Sequence, residues 1–294
     1  MKILVTGSNG QLGQTIMNSV HLEEHEFVFT ARVSHSGRNN VMQLDITDAE
    51  AVMRTVRDNG IELIINCAGY TDVAKAETEQ DAAFRINSDA VACLAEAARE
   101  NGALLIHIST DYIFDGKSSV PYVEEDEASP LNVYGRSKLA GEKVLMESGC
   151  RYLIIRTSWL FSRYGKNFLK TILDKSEKQS VLNVVADQTG TPTYAPDLVD
   201  AVFHIIGKLP SYSGIYNYSN EGVCSWFDFA SEICRAAGRS CIVQPCRTAD
   251  YPSNVVRPEY SVLDKKKIKA DFSLKIPHWK DSVSLCVTEI EKFG

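Results

Sequence analysis

The sequence lacks any apolar run long enough to cross a membrane: no stretch of about 18 uncharged apolar residues occurs in its 294 residues. Met1 leads almost directly into the short apolar run 3–5, where a secretory signal would place a basic region and a long apolar core. Low-complexity segments and internal repeats of fixed period are also missing. We therefore expect a folded, cytoplasmic protein that has no membrane partner.

The patterns that build disulfide and metal sites are missing as well. None of the eight cysteines forms a Cys-x-x-Cys pair, and most lie in apolar or helical surroundings, which predicts reduced thiols. The six histidines are dispersed, with no two at ligand spacing on one predicted helix. The acidic run 124–127 lies between two prolines and is typical of a solvated loop. We expect no metal site.

Positive charge is in short supply, because 31 Lys and Arg residues face 38 Asp and Glu residues, for a formal net charge of −7. Such a balance disfavours a broad surface for nucleic acid or anionic lipid. We therefore expect no nucleic-acid partner, and any anionic ligand must be bound by a local site.

Short apolar runs rich in β-branched residues alternate with helical patterns through the first half of the chain. This alternation predicts an α/β fold, a doubly wound parallel sheet of Rossmann type with helices on both faces. The predicted strands are 2–6, 26–31, 61–68, 103–109 and 152–157. The helices between them include one that Thr47-Asp48 would cap and that ends before Gly60, and one over 77–100.

After Thr157 the pattern changes and predicts a smaller α/β lobe. Helical patterns cover 164–178 and 196–207, and extended patterns cover 181–186 and 214–218. Further along we predict a helix capped by Ser225, extended pieces at 241–246 and 257–263, and a last helix over 281–292.

Three glycines follow the first predicted strand and open the first helix. Glycine lets the backbone approach a pyrophosphate, and the free N–H groups and dipole of a helix start favour its negative charge. In this context a bound dinucleotide is the better interpretation than a tight turn without a ligand. The expected cofactor contacts from the turn are Gly7, Asn9, Gly10, Gln11, Leu12 and Gly13.

The second strand is followed by Arg32, where an NAD-type sequence would place an acidic residue on the ribose. An arginine at this point can pair with a 2′-phosphate, which favours NADPH over NADH. NADH stays an alternative, because Arg32 is also compatible with an ordinary surface position.

Tyr134 and Lys138 lie four residues apart at the start of a predicted helix, on one face. A lysine charge beside a phenol lowers the pKa of the phenol, which makes it a useful acid near neutral pH. The spacing alone is expected by chance, but the pair follows the fourth strand, which ends near Thr110. This arrangement resembles that of the short-chain dehydrogenase/reductase family, and the resemblance implies that Thr110 binds a carbonyl oxygen, Tyr134 protonates it, and a cofactor supplies hydride.

The glycine spacing and this threonine–tyrosine–lysine order resemble the short-chain dehydrogenase/reductase family. Longer segments make the chain similar to the dTDP-4-dehydrorhamnose reductases, which are extended members of that family, over nearly its whole length. The segments are 7–13, 66–77 (NCAGYTDVAKAE), 109–116 (STDYIFDG), 132–142 (NVYGRSKLAGE), 156–161 (RTSWLF), 187–193 (DQTGTPT) and 257–264 (RPEYSVLD).

The resemblance implies reduction of the 4-keto group of dTDP-4-dehydro-β-L-rhamnose by NADPH, to give dTDP-L-rhamnose. It implies that the nicotinamide ribose is held by Lys138. It implies further cofactor contacts from Asp45, Ile46, Cys67, Ala68, Gly69, Tyr70 and Tyr134. It implies substrate contacts from Thr110, Asp111, Tyr134, Trp159, Asn167, Thr193 and Arg257.

Two departures from related proteins limit the expected chemistry. Sugar-nucleotide 4,6-dehydratases carry Asp-Glu after the threonine, whereas Asp111 is followed by Tyr112, so we do not expect dehydration. Some relatives bind Mg²⁺ at a dimer contact through glutamates that include one on the first helix, where this chain has Gln14. That Mg²⁺ site is not predicted, and a homodimer stays open.

The expected division of the chain follows from these assignments. Residues 1–157 with about 195–219 would form the NAD(P)-binding Rossmann domain, and 158–194 with 220–294 the sugar-nucleotide lobe. Two alternatives stay open for function. One is a related nucleotide-sugar ketoreductase or epimerase, because the sequence does not fix the base or the sugar. The other is a non-catalytic NADP-binding regulatory subunit, similar to the β subunit of methionine adenosyltransferase, although the intact Thr110, Tyr134 and Lys138 argue against it.

Overall fold

The computed structural model describes residues 1–33, 40–208, 213–250 and 253–293. Its strands are β1 (Lys2–Thr6), β2 (Glu26–Ala31), β3 (Val41–Gln43), β4 (Leu63–Asn66), β5 (Leu104–Thr110), β6 (Arg151–Thr157), β7 (Leu160–Phe161), β8 (Val181–Val185), β9 (Thr189–Gly190), β10 (Thr193–Tyr194), β11 (Gly214–Asn217), β12 (Cys224–Ser225) and β13 (Ile242–Cys246). Its α-helices are α1 (Gln11–Met17), α2 (Ala49–Asp58), α3 (Val73–Ala76), α4 (Gln80–Phe84), α5 (Ala90–Asn101), α6 (Val133–Glu147), α7 (Phe168–Lys178), α8 (Ala195–Ile206), α9 (Trp226–Ala236), α10 (Lys266–Phe272) and α11 (Trp279–Phe293).

Seven parallel strands form the main sheet in the order β11-β6-β5-β4-β1-β2-β3. Helices cover both faces, so the strand residues Ile3, Leu4 and Val5 are completely buried. The strand order reverses between β1 and β4, and ligands of such sheets bind at the carboxyl ends of the strands at that point. The predicted Rossmann-type α/β fold is confirmed.

A second region contains α7, α9, α11 and the parallel pair β8 and β13 around its own apolar core. Phe161, Phe229 and Trp279 are among the largest buried side chains of that core. Between β10 and β12 the chain returns to the main sheet. There α8 packs on one face of the sheet and β11 pairs with β6. The exact bounds of the two lobes stay a prediction.

The predicted bounds of β1 and β2 match the structure, and Asp48 and Ser225 cap α2 and α9 as predicted. The predicted last helix matches α11 to within two residues at its start. The sequence analysis did not include β3, and the predicted extended piece 257–263 is not a strand. Within that last segment only isolated bridges join Tyr260 to β9 and Leu263 to Tyr122.

The predicted helix over 77–100 is interrupted in the structure. It consists of a turn after α3, then α4, a π-helical turn (Arg85–Asp89) and α5. Asn87 in the π turn exchanges two hydrogen bonds with the backbone of Tyr70 and donates a third to Ser137 Oγ. These bonds attach the loop after β4 to α6, so the interruption positions two walls of the cleft described below.

None of the helices in the described part of the chain is both long and apolar enough to cross a membrane. No group of three or more His, Cys, Asp or Glu side chains is placed to hold a metal ion among the same residues.

Candidate active site

Three adjoining cavities form one cleft along the carboxyl ends of the parallel strands. The first, of about 740 Å³, and the second, of about 580 Å³, share Gly10 and the loop 67–69 as walls. The second and the third, of about 380 Å³, share Tyr112 and Trp226. The cleft is therefore long enough to take an extended cofactor at one end and an extended substrate at the other.

The glycine turn forms the wall at the junction of the first two cavities. Gly7 has φ +65°, and a Cβ atom there would lie 2.6 Å from the backbone nitrogen of Ala68. A Cβ atom on Gly13 would lie 2.5 Å from Ser8 Cα, whereas Gly10 borders both cavities. Only glycine allows this close packing of β1, α1 and the loop after β4, and the resulting cradle fits a dinucleotide pyrophosphate.

The first cavity brings together many of the residues predicted to bind the cofactor. Its walls include Arg32, which follows β2, and Asp45, whose pKa is lowered first by the backbone N–H of Thr47 and also by Arg32 and Arg85. Arg85 was missed by the sequence analysis, because it reaches the cavity from the π turn, far along the chain. Predicted residues that also line this cavity are Gly7, Asn9, Gly10, Ile46, Cys67, Ala68, Gly69 and Tyr70.

The central cavity contains the predicted proton-transfer set. Asn132 caps α6 by accepting from the backbone N–H of Gly135, which fixes the first turn and therefore the direction of Tyr134. Thr110 ends β5 and lines the same cavity as Tyr134. Lys138 lies one turn further along α6 and lines the same cavity. The three residues that the sequence analysis grouped are brought together, with Gln11 and Leu12 on the opposite wall.

The protonation of this set differs from the sequence-based expectation. Burial raises the pKa of Tyr134 to about 12, and the nearby Thr110 hydroxyl only partly offsets that rise. Lys138 is not among the groups that shift this pKa, and its Nζ donates to the carbonyl oxygen of Ile108 at 2.6 Å. The predicted lowering of the Tyr134 pKa is therefore wrong in this structure. A phenol with a raised pKa keeps its proton at neutral pH and is a weaker acid than an unperturbed tyrosine.

Asp111 follows Thr110 and lies at the floor of the central cavity with 2% of its surface exposed. One carboxylate oxygen accepts from the Thr110 hydroxyl at 3.2 Å, and the other has no hydrogen-bond partner among the described side chains and backbone. Burial raises the pKa of Asp111 to about 7. The carboxyl group is thus an available hydrogen-bonding group for a polar ligand.

Trp159 lines the central cavity just beyond β6, as predicted, with an unusual backbone φ of 46°. Its indole stacks on that of Trp226 with ring centroids 3.6 Å apart. Trp226 opens α9 and also borders the third cavity, so the stacked pair forms the wall between the two. The sequence analysis missed Trp226, because a tryptophan at the start of a helix carries no local signal of a distant cavity.

The third cavity contains Arg257, a predicted substrate contact, beside Tyr112. A hydrogen bond and the charge of Arg257 oppose the effect of burial, which raises the pKa of the Tyr112 phenol. Lys175 adds a second positive charge, and Asn183 and Gln188 add amide groups. The sequence analysis missed Tyr112, Lys175, Asn183 and Gln188 as cavity residues. Two cations and several hydrogen-bonding groups suit an anionic, polar ligand.

Two predicted substrate contacts are placed differently. Asn167 borders the central cavity, but its amide nitrogen donates to Gln11 at 2.9 Å and its oxygen caps α7. Thr193 is completely buried, and its hydroxyl lies 3.1 Å from that of Thr157, which does line the cavity. Both side chains therefore support the wall of the cleft instead of presenting free groups to a ligand.

A buried ion pair holds α6 against the sheet. Arg156 on β6 donates from Nε and Nη2 to the carboxylate of Glu142 on α6, and both side chains are at most 4% exposed. The hydroxyl of Ser109 on β5 donates to the same carboxylate at 2.5 Å. This network fixes the middle of the helix that carries Tyr134 and Lys138.

The parallel sheet, the glycine cradle and the order of Thr110, Tyr134 and Lys138 at the strand ends define a protein of the short-chain dehydrogenase/reductase class. The family model described as RmlD substrate binding domain matches residues 1–292. The chain belongs to the dTDP-4-dehydrorhamnose reductase family.

The dTDP-4-dehydrorhamnose reductase of Sinorhizobium fredii is 38% identical and covers 96% of this chain and 95% of its own. A probable dTDP-4,6-dihydroxy-2-methyloxan-3-one 4-ketoreductase of Streptomyces antibioticus is 32% identical, covering 96% and 93%. Among solved structures, the dTDP-4-dehydrorhamnose reductase of Bacillus anthracis in complex with NADP superposes with a TM-score of 0.90 at 35% identity, covering 98% of this chain and 99% of that one.

Proposed function

We propose that this protein transfers hydride from NADPH to the 4-keto group of dTDP-4-dehydro-β-L-rhamnose and so forms dTDP-L-rhamnose. The observation that carries this proposal is the meeting of Thr110, Tyr134 and Lys138 in one cavity, beside a glycine turn that fits a pyrophosphate. Membership of the family supports the substrate, and the relative solved with NADP supports the cofactor.

The glycine cradle would hold the pyrophosphate of NADPH, with Arg32 and Arg85 at the adenosine end, where positive charge favours a 2′-phosphate. When bound, the dinucleotide supplies the hydride. Lys138 borders the central cavity and offers N–H groups to the nicotinamide ribose. NADH stays the alternative. Two arginines near the ribose favour a 2′-phosphate, but they do not prevent binding of a dinucleotide that lacks it.

Proton transfer is the task of the protein itself. The Thr110 hydroxyl lines the cavity with Tyr134 and would turn its proton from Asp111 to the carbonyl oxygen of the substrate. Tyr134 then gives its proton to that oxygen as hydride arrives at carbon, so the ketone becomes an alcohol. The raised pKa of Tyr134 keeps the phenol protonated at neutral pH. Asp111 offers a hydrogen-bonding group to the sugar beside it.

The nucleotide diphosphate of the substrate is assigned to the third cavity. Arg257 and Lys175 supply positive charge for the diphosphate, and Trp226 and Tyr112 supply flat surfaces for the base and sugar. The stacked Trp159 would lie against the sugar at the passage between the cavities. Asn167 and Thr193 do not contact the substrate in this proposal. They hold Gln11 and Thr157 in the wall of the central cavity.

A second candidate is reduction of a different nucleotide-linked keto-sugar. The relative from Streptomyces antibioticus carries the name of a 4-ketoreductase of another dTDP-sugar at 32% identity. The cleft residues that transfer protons would be the same, so only the groups around the sugar would differ. A non-catalytic regulatory role is disfavoured, because Thr110, Tyr134 and Lys138 are assembled as a reductase needs.

We further propose that the enzyme works in the cytoplasm. The support is that all eight cysteines are free thiols, which the reducing conditions of the cytoplasm maintain. Mg²⁺ has no part in the proposed mechanism, because proton transfer and charge stabilisation are assigned to side chains. Association into a homodimer is compatible with this mechanism and is not needed for it, since each of the assigned groups belongs to one chain.

The test follows NADPH absorbance with enzymatically generated dTDP-4-dehydro-β-L-rhamnose, for the wild type, Tyr134→Phe and the control Tyr152→Phe. Tyr152 lies near the amino end of β6, away from the cleft. Loss of the general acid is expected to slow turnover about 10²–10⁴-fold, with no such loss in the control. Absence of turnover by the wild type would refute the substrate, and unchanged turnover by Tyr134→Phe would refute the assigned acid.

A further inference from the structure

A buried polar chain leads from Lys138 into the interior of the sheet. Lys138 Nζ lies 3.3 Å from His107 Nε2, and His107 Nδ1 lies 3.0 Å from Asn66 Nδ2. The Asn66 side-chain oxygen accepts from the Thr6 hydroxyl at 2.6 Å. His107, Asn66 and Thr6 are at most 1% exposed, and Lys138 alone of the four borders the cleft. The chain thus joins a proposed active-site group to residues that no ligand reaches.

The backbone fixes the orientation of the Asn66 amide in this chain. The N–H of Ala68 donates to the Asn66 side-chain oxygen at 3.2 Å, and a backbone N–H is always a donor. The atom of Asn66 that faces this N–H must therefore be the oxygen, and the NH₂ group must face His107. Hence His107 Nδ1 is an acceptor and carries no proton.

The remaining proton of His107 decides what Lys138 meets. A neutral imidazole without a proton on Nδ1 carries it on Nε2, which faces Lys138. An ammonium group on Lys138 would then set one donor against another, whereas a neutral amine would accept from Nε2–H and still donate to the Ile108 carbonyl. Moving the proton of His107 to Nδ1 only transfers the conflict to Asn66. When Lys138 is charged, either tautomer of His107 therefore leaves one buried hydrogen bond unmade.

We propose that His107, oriented by Asn66, is a positioning residue that weakens the proton affinity of Lys138 and so sets the pH range in which Lys138 can return a proton to Tyr134. The proposal rests on the proposed reductase function. When the O–H bond of Tyr134 breaks and the alcohol O–H forms, a phenolate is left. The Lys138 ammonium gives its proton to that phenolate, and the resulting amine accepts the His107 Nε2–H hydrogen bond. The amine then takes up a proton from the solvent through the cleft, which is the one proton that reduction of a ketone by NADPH consumes, and nothing in this relay is oxidised or reduced.

The charged groups around Lys138 set limits on this effect. Burial lowers the pKa of Lys138 to about 8, and Glu142, which lies on the same helix and pairs with Arg156, raises it. From β5, His107 faces Lys138, and burial lowers the pKa of His107 well below its usual value, so the ring stays neutral. Lys138 thus exchanges its proton close to physiological pH, as a relay requires.

The tautomer of His107 tests the geometry without any turnover. We expect ¹⁵N NMR of the imidazole to show His107 protonated on Nε2 in the wild type, with the signal assigned by its loss in His107→Gln. In Asn66→Asp a carboxylate still accepts from Thr6 and Ala68 but also accepts from the ring, so the proton should move to Nδ1. Protonation of Nδ1 in the wild type would overturn the proposal, whether or not the protein reduces the proposed substrate.

The pH dependence of turnover tests the consequence. Activity that needs a protonated Lys138 declines as pH rises through its pKa. His107→Gln turns an amide oxygen toward the ammonium, so the alkaline decline should move up by about one pH unit, the effect of one buried hydrogen bond. Asn66→Asp should move it in the same direction, and Ile106→Val, a buried apolar change on β5, should not move it. An unmoved decline in both polar variants would refute the role of His107.

Discussion

Replacing Asp111 by asparagine is expected to stabilise the unliganded protein at alkaline pH, although the residue lies in the proposed active site. Burial raises the pKa of this carboxyl from an ordinary 3.8 to about 7. Below pH 3.8 the carboxyl is protonated in the folded and unfolded states alike. As pH rises from there to 7, only the unfolded carboxyl ionises, so the stability of the folded state falls.

The size of this effect follows from the difference of about 3 pKa units, each of which corresponds to about 1.4 kcal/mol. The full loss is about 4 kcal/mol, and about 2–3 kcal/mol of it falls between pH 5 and pH 8. The asparagine variant lacks the ionising group and escapes this loss. Its free energy of unfolding, relative to the wild type, should therefore rise by about 2–3 kcal/mol between the two pH values.

Urea unfolding followed by circular dichroism at pH 5 and pH 8 measures this difference. Asp115→Asn is the matched control, because a backbone hydrogen bond from Lys117 lowers the pKa of Asp115. Its carboxyl is ionised in both states from pH 5 to pH 8, so its variant should differ from the wild type by a constant amount. An advantage of Asp111→Asn that is equal at the two pH values would refute the reasoning.

Two further predictions concern the support of α6 and the choice of cofactor. Glu142→Gln leaves the Arg156 guanidinium buried without its carboxylate and should cost about 3–5 kcal/mol in urea unfolding, whereas Glu100→Gln, in an exposed pair, should cost little. Equal losses in the two variants would contradict a structural role for the buried pair. Arg32→Ala should lower the ratio of kcat/KM for NADPH to that for NADH about tenfold or more. The control Arg57→Ala, an exposed side chain on α2, should leave this ratio unchanged, and equal ratios in all three proteins would remove the role of Arg32.

The features that the sequence predicted well depend on local chemistry. The glycine turn, the caps at Asp48 and Ser225, and the apolar strands β1 and β2 each follow from residues that are close together in the chain. A β-branched apolar run between turn residues has few alternatives to a buried strand. The placement of the proton-transfer set also followed from this order of elements.

The features that the sequence did not predict depend on contacts between distant residues. Asn87 interrupts a helical pattern because its amide bonds the backbone of Tyr70, 17 residues away. Trp226 reaches the cleft only because α9 packs beside Trp159. The raised pKa of Tyr134 is likewise a result of burial, which the spacing of a tyrosine and a lysine does not reveal.

The return of β11 to the main sheet limits how this chain can be divided. A fragment that ends at Thr157 would contain six of the seven strands and would leave β6 as the sheet edge. The N–H and C=O groups on the open side of β6 would then be unpaired. Leu153, Ile154 and Ile155 of β6 are fully buried in the whole protein, so this exposed edge would pair with the strands of other fragments. The nucleotide-binding half is therefore not a transplantable module by simple truncation, and a recombinant version of it would need β11 reattached by a new linker.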